Sequence, residues 1–246
     1  MGWGQDISAE AAASALAWWE EAGVDTMIAE VPRDWLRAPT REAARMAEPP
    51  AADPAEDEAG DAPPDQLDLF ETWLRDSQAI PFASPTAPRI CPAGDPASGL
   101  MILTDMPSGE DCAAGTLISG EGGRLFDRML AAIGRDRASV YLAALSCLRS
   151  PTGRLTTDSA KSCATLARHH VGLVRPRALL LFGDAAARAM LGLTIAQARG
   201  RRHEIATHSG PVRTIVTIAP QELLKAPRYK KFAWEDLQML AEEVNG

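Results

Sequence analysis

The chain has 246 residues, 46% of them hydrophobic, and a formal net charge of −8. This apolar fraction fills a substantial core and excludes global disorder. The longest apolar run, Val140 to Leu145, has the length of a strand, far short of the roughly 20 residues that span a membrane. The N-terminus lacks a basic stretch before an apolar core, and the four cysteines form no CxxC pair. We therefore expect a cytoplasmic, reduced protein without membrane association.

The charge is unevenly distributed along the chain. Residues 1–80 contain 5 basic and 18 acidic side chains, a net charge of −13. Residues 81–246 contain 20 basic and 15 acidic side chains, a net charge of +5. The C-terminal part therefore permits phosphate contacts, although charge alone favours an ordinary solvated surface.

The N-terminal part is predicted to be a helical extension followed by a linker. Residues 8–21 are rich in alanine, with Ser8 as the helix cap and Gly23 as its stop, and residues 31–48 fit a second helix. Residues 49–65 contain proline, alanine and acidic residues but no large apolar side chain, so they cannot bury enough surface to fold. The predicted organisation is a helical extension over 1–48, an acidic linker over 49–65 and a main domain over 66–246.

From residue 66 onward, helical and strand patterns alternate. A helix is predicted over 66–75, since Leu67, Phe70, Trp73 and Leu74 share one face. Strands are predicted over 100–103, 140–145, 178–182 and 212–218, and helices over 123–134, 158–174, 184–191 and 234–244. This alternation predicts an α/β domain of three layers, α/β/α, around a mostly parallel central sheet.

Three loops are candidates for the functional site, because ligands of parallel sheets bind at the carboxyl ends of strands. They span residues 104–123, 146–154 and 219–227, and each contains Gly or Pro with small and charged residues. The sequence contains no P-loop, Rossmann fingerprint or GxSxG nucleophile elbow.

Several blocks in residues 99–244 resemble the uracil-DNA glycosylase superfamily, in the style of its bacterial families 4 and 5. The order and spacing of the blocks carry the resemblance. They are TDMPS (104–108), GTLISGEGGRLFDRM (115–129), YLAALSCLRSP (141–151), RP (175–176), LFGDAA (181–186), TIAPQELLKAP (217–227) and WEDL (234–237). The opening LAWWEEAGVD is similar to that of alphaproteobacterial members. The resemblance implies the glycosylase fold and DNA repair by hydrolysis of the N-glycosidic bond of a base flipped into a pocket.

The resemblance also implies a substrate pocket at Pro107, Ile118, Ala144 and Ala219. The family stacks the base on an aromatic ring, reads its edge with Asn and supports the leaving base with His. The corresponding positions are Ile118, Ala144 and Ala219. Because none of these side chains can replace the lost group, we expect weak uracil excision or excision of another deaminated base. The alternative is a catalytically inactive glycosylase fold that acts as a DNA-binding or clamp-binding adaptor.

Two carboxylates match acidic positions of the family. Asp105 and Asp111 are the predicted catalytic residues, where a carboxylate positions water or balances a sugar cation. The alternative is that both side chains cap turns or a helix. His208 can replace the missing histidine only if its loop folds into the pocket.

The parts that hold DNA are better preserved than the parts that read the base. The resemblance implies that the protein is a monomer and that its partner is DNA. The predicted DNA contacts are Gly120, Arg149, Pro151, Arg201, Gln221, Lys225 and Lys230. For Gly120, a tight turn before a helix is an alternative to a DNA contact and explains the residue equally well.

An iron–sulfur cluster is the cofactor that the family comparison raises, because family 4 enzymes hold one on four cysteines that begin with CxxC. In this chain Cys91 stands alone, Cys112 lies in the first loop, and Leu148 occupies the family's third cysteine position, with Cys147 one place early. We therefore expect no cluster and no other metal.

A second resemblance concerns QLDLF, residues 66–70, which is similar to the pentapeptide that docks bacterial proteins on the replication sliding clamp. In such a peptide Leu67, Leu69 and Phe70 provide the apolar contacts and Gln66 fixes one end. The alternative is the first turn of a helix packed on the α/β domain. Burial of Phe70 would exclude docking, and an exposed extended segment would favour it.

Overall fold

The computed structural model describes residues 62–245. The helices predicted over 8–21 and 31–48, and most of the linker predicted over 49–65, lie outside the described residues. The described residues form a six-stranded sheet with helices on both faces. The predicted three-layer α/β/α architecture is confirmed.

The sheet has the strand order β1-β3-β2-β4-β6-β5. The four central strands run parallel to one another, and both edge strands are antiparallel to their neighbours. The strands are β1 (Ala93–Gly94), β2 (Leu100–Thr104), β3 (Tyr141–Ala144), β4 (Ala178–Phe182), β5 (Arg202–Thr207) and β6 (Gly210–Thr217).

Eight α-helices are present in the described residues. They are α1 (Leu67–Asp76), α2 (Gly109–Ala114), α3 (Gly120–Ala132), α4 (Thr157–Val174), α5 (Gly183–Leu191), α6 (Ile195–Ala198), α7 (Pro220–Lys225) and α8 (Lys230–Asn245). Short 3₁₀ turns occupy Pro96–Ser98, Arg137–Ser139 and Pro227–Tyr229. No helix in this part of the chain combines the length and apolarity needed to cross a membrane.

The elements missed from the sequence are short or polar. Both α2 and α7 have only six residues, too few to show a helical period. The edge strand β5 buries only Ile205 among its six residues, so its sequence resembles a basic surface loop. The two-residue β1 gives no periodic signal at all.

The central strands are apolar on both faces because helices cover both sides of the sheet. Leu100 and Ile102 of β2 pack with α3 and α8 on one face. Met101 and Leu103 of the same strand pack with α4 and α5 on the other. This explains the unbroken apolar runs that predicted these strands.

The order of the strands opens a crevice between β2 and β4. The chain passes from β2 to β3 on one side and then crosses back to β4 on the other. The loops that leave β2 and β4 therefore diverge at the carboxyl edge of the sheet. Such a switch point is where open α/β sheets bind ligands.

Helix α1 contains the QLDLF segment and packs on α4. Phe70 is 1% exposed, and its ring centroid lies 5.3 Å from His169 and 5.0 Å from His170. Leu69 on the outer face is 49% exposed. The QLDLF segment is thus the first turn of a helix packed on the α/β domain, as the alternative interpretation expects. The burial of Phe70 contradicts the prediction that it docks on a sliding clamp, because a side chain in the core cannot fill a partner's pocket.

Replacing Phe70 by alanine should reduce the free energy of unfolding by about 3–5 kcal/mol, because it leaves a cavity beneath α1. The neighbouring Leu69→Ala is the matched control and should change it by no more than about 0.5 kcal/mol. Urea unfolding followed by circular dichroism measures both. Equal, small effects of the two substitutions would contradict the packed helix.

Candidate active site

A cleft of about 880 Å³ lies at the carboxyl ends of β2, β4 and β6. The three loops singled out from the sequence meet there, joined by side chains from α4 and α5. The predicted site residues that line the cleft are Asp105, Asp111, Ile118, Arg149, Ala219, Gln221 and Lys225.

Asp105 follows β2 directly and has no hydrogen-bond donor for its buried oxygen. The Oδ1 atom is shielded from solvent and accepts no hydrogen bond from the described residues. Burial raises the pKa of the Asp105 carboxyl above its usual range. A backbone bond from Ser146 N to the Asp105 carbonyl, 3.3 Å long, anchors the loop. An unpaired buried carboxyl in a cleft is a candidate catalytic group.

Asp111 has the opposite environment, since both of its oxygens accept hydrogen bonds. Oδ2 accepts from the backbone N of Ser108 at 2.9 Å. Oδ1 accepts from the backbone N and the hydroxyl of Ser119, at 2.7 and 2.6 Å. Burial acts to raise the pKa of Asp111, but the bonds from Ser119 and Ser108 outweigh it and hold the pKa below its usual range. Asp111 therefore fits the capping alternative, and direct assistance in catalysis stays a prediction.

Ile118 lies on the floor of the cleft in a strained conformation. Its φ of 51° is in the left-handed region, which a β-branched residue rarely adopts. Arg137 stabilises this turn by donating to the carbonyls of Leu117 and Ile118, at 2.9 and 2.7 Å. A Cβ at position 123 would lie 2.5 Å from the Ile118 carbonyl oxygen, so Gly123 is required there. Arg137 was missed because it acts from about twenty residues away.

Phe182, the last residue of β4, adds an aromatic ring to the cleft lining. It packs edge-to-face on Phe126, with ring centroids 5.7 Å apart. Sequence reasoning assigned Phe182 only to a buried strand. The available signal was an aromatic residue at the carboxyl end of that strand, directly before Gly183.

Two of the predicted pocket residues lie outside the cleft lining. Ala144 lines a separate cavity of about 20 Å³, beside Cys147 and Cys163, so the space expected at Ala144 does not enlarge the cleft. Pro107 is buried, and its carbonyl accepts a 3.2 Å hydrogen bond from Arg149. Pro107 therefore positions a cationic side chain rather than contacting a base.

Several predicted DNA contacts also lie outside the cleft lining. Pro151, Arg201 and Lys230 are exposed elsewhere on the surface. Gly120 begins α3 with a φ of 61°, and the Glu110 carboxylate occupies the space a Cβ would need. For Gly120 this favours the tight-turn alternative.

His208 does not reach the cleft. Its ring lies against Gly172 of α4, within 2.5 Å of where a Cβ at that glycine would be. It is also 5.4 Å from the ring of His169. Within residues 62–245, no histidine lines the cleft, so the condition under which His208 could replace the family's histidine is not met.

One wall of the cleft carries uncompensated positive charge. Arg188 is hydrogen-bonded to Asp184, and Lys225 donates to Glu222 at 2.7 Å. The cations of the cleft lining that form no ion pair with the described residues are Arg149, Arg154 and Lys161. Such a wall attracts phosphate groups.

Residues 91–238 match the family model of the uracil DNA glycosylase superfamily. The chain belongs to this superfamily. It is similar to the type-4 uracil-DNA glycosylase of Archaeoglobus fulgidus, with 23% identity over 61% of this chain and 78% of that protein. It is also similar to the type-4 uracil-DNA glycosylase of Pyrobaculum aerophilum, with 22% identity over 59% of this chain and 78% of that protein. The resemblance read from the sequence is confirmed at the level of the superfamily.

The cysteines of this superfamily member do not fit an iron–sulfur cluster. Burial raises the pKa of Cys147 to about 12 and that of Cys163 to about 11. Cys112 lies in α2, away from this pair. No group of three His, Cys, Asp or Glu side chains among residues 62–245 can hold a metal ion. Apolar side chains instead pack around Cys147, namely Phe70, Leu74, Ile80 and Leu148.

Replacing Asp105 by asparagine should stabilise the fold at neutral pH. Because the folded-state pKa of Asp105 is raised, stability of the wild type falls as the pH rises from the unfolded-state pKa through the folded one. The asparagine variant lacks this loss. Urea unfolding at several pH values should show a gain at pH 7 that vanishes near pH 3. A variant less stable than the wild type at pH 7 would contradict the environment described for Asp105.

Replacing Asp111 by alanine should destabilise the fold by on the order of 3 kcal/mol, because three donors lose a charged acceptor. The lowered pKa of Asp111 means that its contribution is present above the unfolded-state pKa and is lost as the pH falls through the folded one. Thermal unfolding at pH 7 and pH 3 measures this, with Asp158→Ala as control, since Asp158 is exposed and its carboxylate forms no hydrogen bond with the described residues. If the loss of stability were the same at both pH values, the charge of Asp111 would not be its source.

Proposed function

We propose that this protein binds DNA and hydrolyses the N-glycosidic bond of a deaminated base held in the cleft, with weak activity or with a specificity other than uracil. The observation that carries the proposal is the buried Asp105 carboxyl, which has an unpaired oxygen at the carboxyl end of β2. Membership of the uracil-DNA glycosylase superfamily supports the reaction class.

The floor of the cleft suits a flat, unstacked base. Ile118 and Phe182, each only 1% exposed, form this packed apolar floor, and the partly exposed Ala219 also lines the cleft. Among the described residues that line the cleft, Gln221 is the one with an amide side chain. This amide forms no hydrogen bond with the described residues. An amide carries both donors and an acceptor. Gln221 therefore recognises the edge of the base, a role that the alanines at 144 and 219 cannot perform.

The chemical step requires Asp105 as a carboxylate. It accepts a proton from a water molecule whose oxygen bonds to C1′ of the sugar. The C1′–N bond breaks, and its electron pair leaves with the base, which then takes a proton from solvent. A side chain that supports this developing charge is worth about 10²–10³-fold in rate. Ala219 provides no such group, and this is the physical reason for proposing weak activity.

The cationic wall holds the phosphates beside the extruded base. Arg149, Arg154 and Lys161 are free of ion pairs with the described residues, so a phosphate does not have to displace a carboxylate. Arg149 is held over the site by its 3.2 Å bond to the Pro107 carbonyl. Phosphate contacts of this kind fix the position of a strand and make its affinity depend on salt.

A second candidate is a catalytically inactive glycosylase fold that binds DNA as an adaptor. The observation that favours it is the replacement of three base-recognising groups by Ile118, Ala144 and Ala219. The two candidates differ in whether Asp105 performs chemistry.

Single-stranded oligonucleotides that carry uracil, hypoxanthine or xanthine test the proposal, with alkali cleavage at abasic sites as the readout. The wild type should cleave at least one of them under single-turnover conditions. Asp105→Asn should slow this cleavage by about 100-fold or more, the usual contribution of a general base, and leave DNA affinity unchanged. Asp136→Asn, an exposed carboxylate outside the cleft, is the matched control and should retain full activity.

Two outcomes would contradict the proposal. DNA binding without cleavage at high protein excess would favour the adaptor. Cleavage that survives Asp105→Asn would show that another group activates the water.

A further inference from the structure

Exposed apolar side chains of the described domain are concentrated in one short segment. Large side chains that are more than a third exposed are Leu69, Leu224, Tyr229, Phe232 and Trp234. Four of these five lie between positions 224 and 234, where α7 ends and α8 begins. Single exposed apolar residues are ordinary, but neighbouring exposed rings such as Tyr229 and Phe232 mark a candidate interaction surface.

The aromatic rings in this segment are paired with guanidinium groups. Tyr229 and Phe232 lie 6.3 Å apart at an angle of 32°. Arg228 covers Tyr229 at 4.9 Å, and Arg199 covers Phe232 at 4.7 Å. Tyr229 is still 37% exposed and Phe232 39% exposed, so each ring keeps surface for a partner.

Positive charge in the segment is not neutralised locally. Arg228, Lys230 and Lys231 are exposed and form no ion pair with the residues that the structure describes. By contrast, Lys225 is bonded to Glu222, and Arg199 to the buried Asp236 at 3.2 Å. The sequence RYKKFAW, residues 228–234, thus alternates free cations with exposed rings.

Aromatic rings interleaved with cations are the arrangement that binds unpaired nucleic acid, since bases stack on the rings and phosphates contact the cations. We infer that residues 228–234 form an accessory surface for single-stranded DNA, outside the cleft. This surface rests on the DNA binding of the proposed function and extends it to a second site, which requires no damaged base and no bond cleavage.

The position of the segment favours DNA over other anionic partners. Lys225 lines the cleft, and Arg228 follows only three residues later, at most about 11 Å along an extended chain. A strand that enters the cleft therefore reaches the rings within a short distance. Trp234 and Lys230 line a separate groove of about 180 Å³, on another side of α8 from Phe232, because residues two positions apart face different sides of a helix.

The test is fluorescence anisotropy with a labelled oligothymidine that contains no deaminated base, using the full chain. The double variant Tyr229→Ala/Phe232→Ala should bind about tenfold more weakly, as expected for the loss of base stacking. Lys230→Gln/Lys231→Gln should reduce the slope of log K against log salt by about 1.4, the value for two phosphates of a single strand. Leu69→Ala, an exposed apolar residue on α1, is the control and should bind as the wild type does.

Tryptophan fluorescence gives a second readout that does not depend on the stability of the double variant. Oligothymidine should quench the emission of the wild type, and Trp234→Phe should reduce that quenching, because five other tryptophans also emit. Unchanged affinity of the ring variants, or quenching that is undiminished in Trp234→Phe, would overturn the inference. Binding to phosphatidylserine vesicles but not to oligothymidine would also overturn it and assign the surface to lipid. A protein that excises no base would not contradict this inference, because the experiment measures only binding to undamaged DNA.

Discussion

The hydrogen bonds of the buried Asp111 carboxylate fix one side of the cleft. They tie the residue before α2, Ser108, to the residue before α3, Ser119. The turn at Ile118 lies between these anchor points and is held from behind by Arg137. If Asp111 lost its charge, the loop would lose the acceptor on which its geometry depends. The apolar floor would then no longer be presented to a ligand.

The same network explains why two neighbouring carboxylates have different environments. Asp111 is saturated with donors and keeps a low pKa, whereas Asp105 has an unpaired buried oxygen and a raised pKa. Environments that separate two carboxyl groups in this way are how a site assigns distinct roles to the same residue type. The sequence shows two acids six positions apart and cannot distinguish them, because the donors to Asp111 come from a residue eight positions further along.

Elements buried on both faces were predictable, and features set by long-range contacts were not. The apolar runs of β2 and β4 and the long helix α4 predicted the layers because each buries a continuous surface. The edge strand β5 was missed because its side chains are mostly exposed. Ala144 and Ala219 looked equivalent as pocket residues, yet only Ala219 lines the cleft. Their separation depends on the strand order, because β2 and β4 lie between β3, which ends at Ala144, and β6, which precedes Ala219. No local sequence pattern reports this order.

On the side of the domain under α1, apolar packing surrounds two cysteines. Phe70 and Leu74 line the same small cavity as Cys147 and Cys163. The QLDLF segment illustrates a limit of short motifs. Five residues fitted both a docking peptide and a helical turn, and only the burial of Phe70 distinguishes the two.

The central claim is that a base leaves the DNA stack and occupies the cleft above Ile118 and Phe182. Fluorescence of 2-aminopurine placed beside a uracil or hypoxanthine tests it most directly, because the probe brightens when its neighbour unstacks. We predict a saturable increase on addition of the wild type, retained in Asp105→Asn and abolished by Ala219→Phe, which fills the cleft. No increase with any deaminated base, or an increase that persists in Ala219→Phe, would contradict the claim.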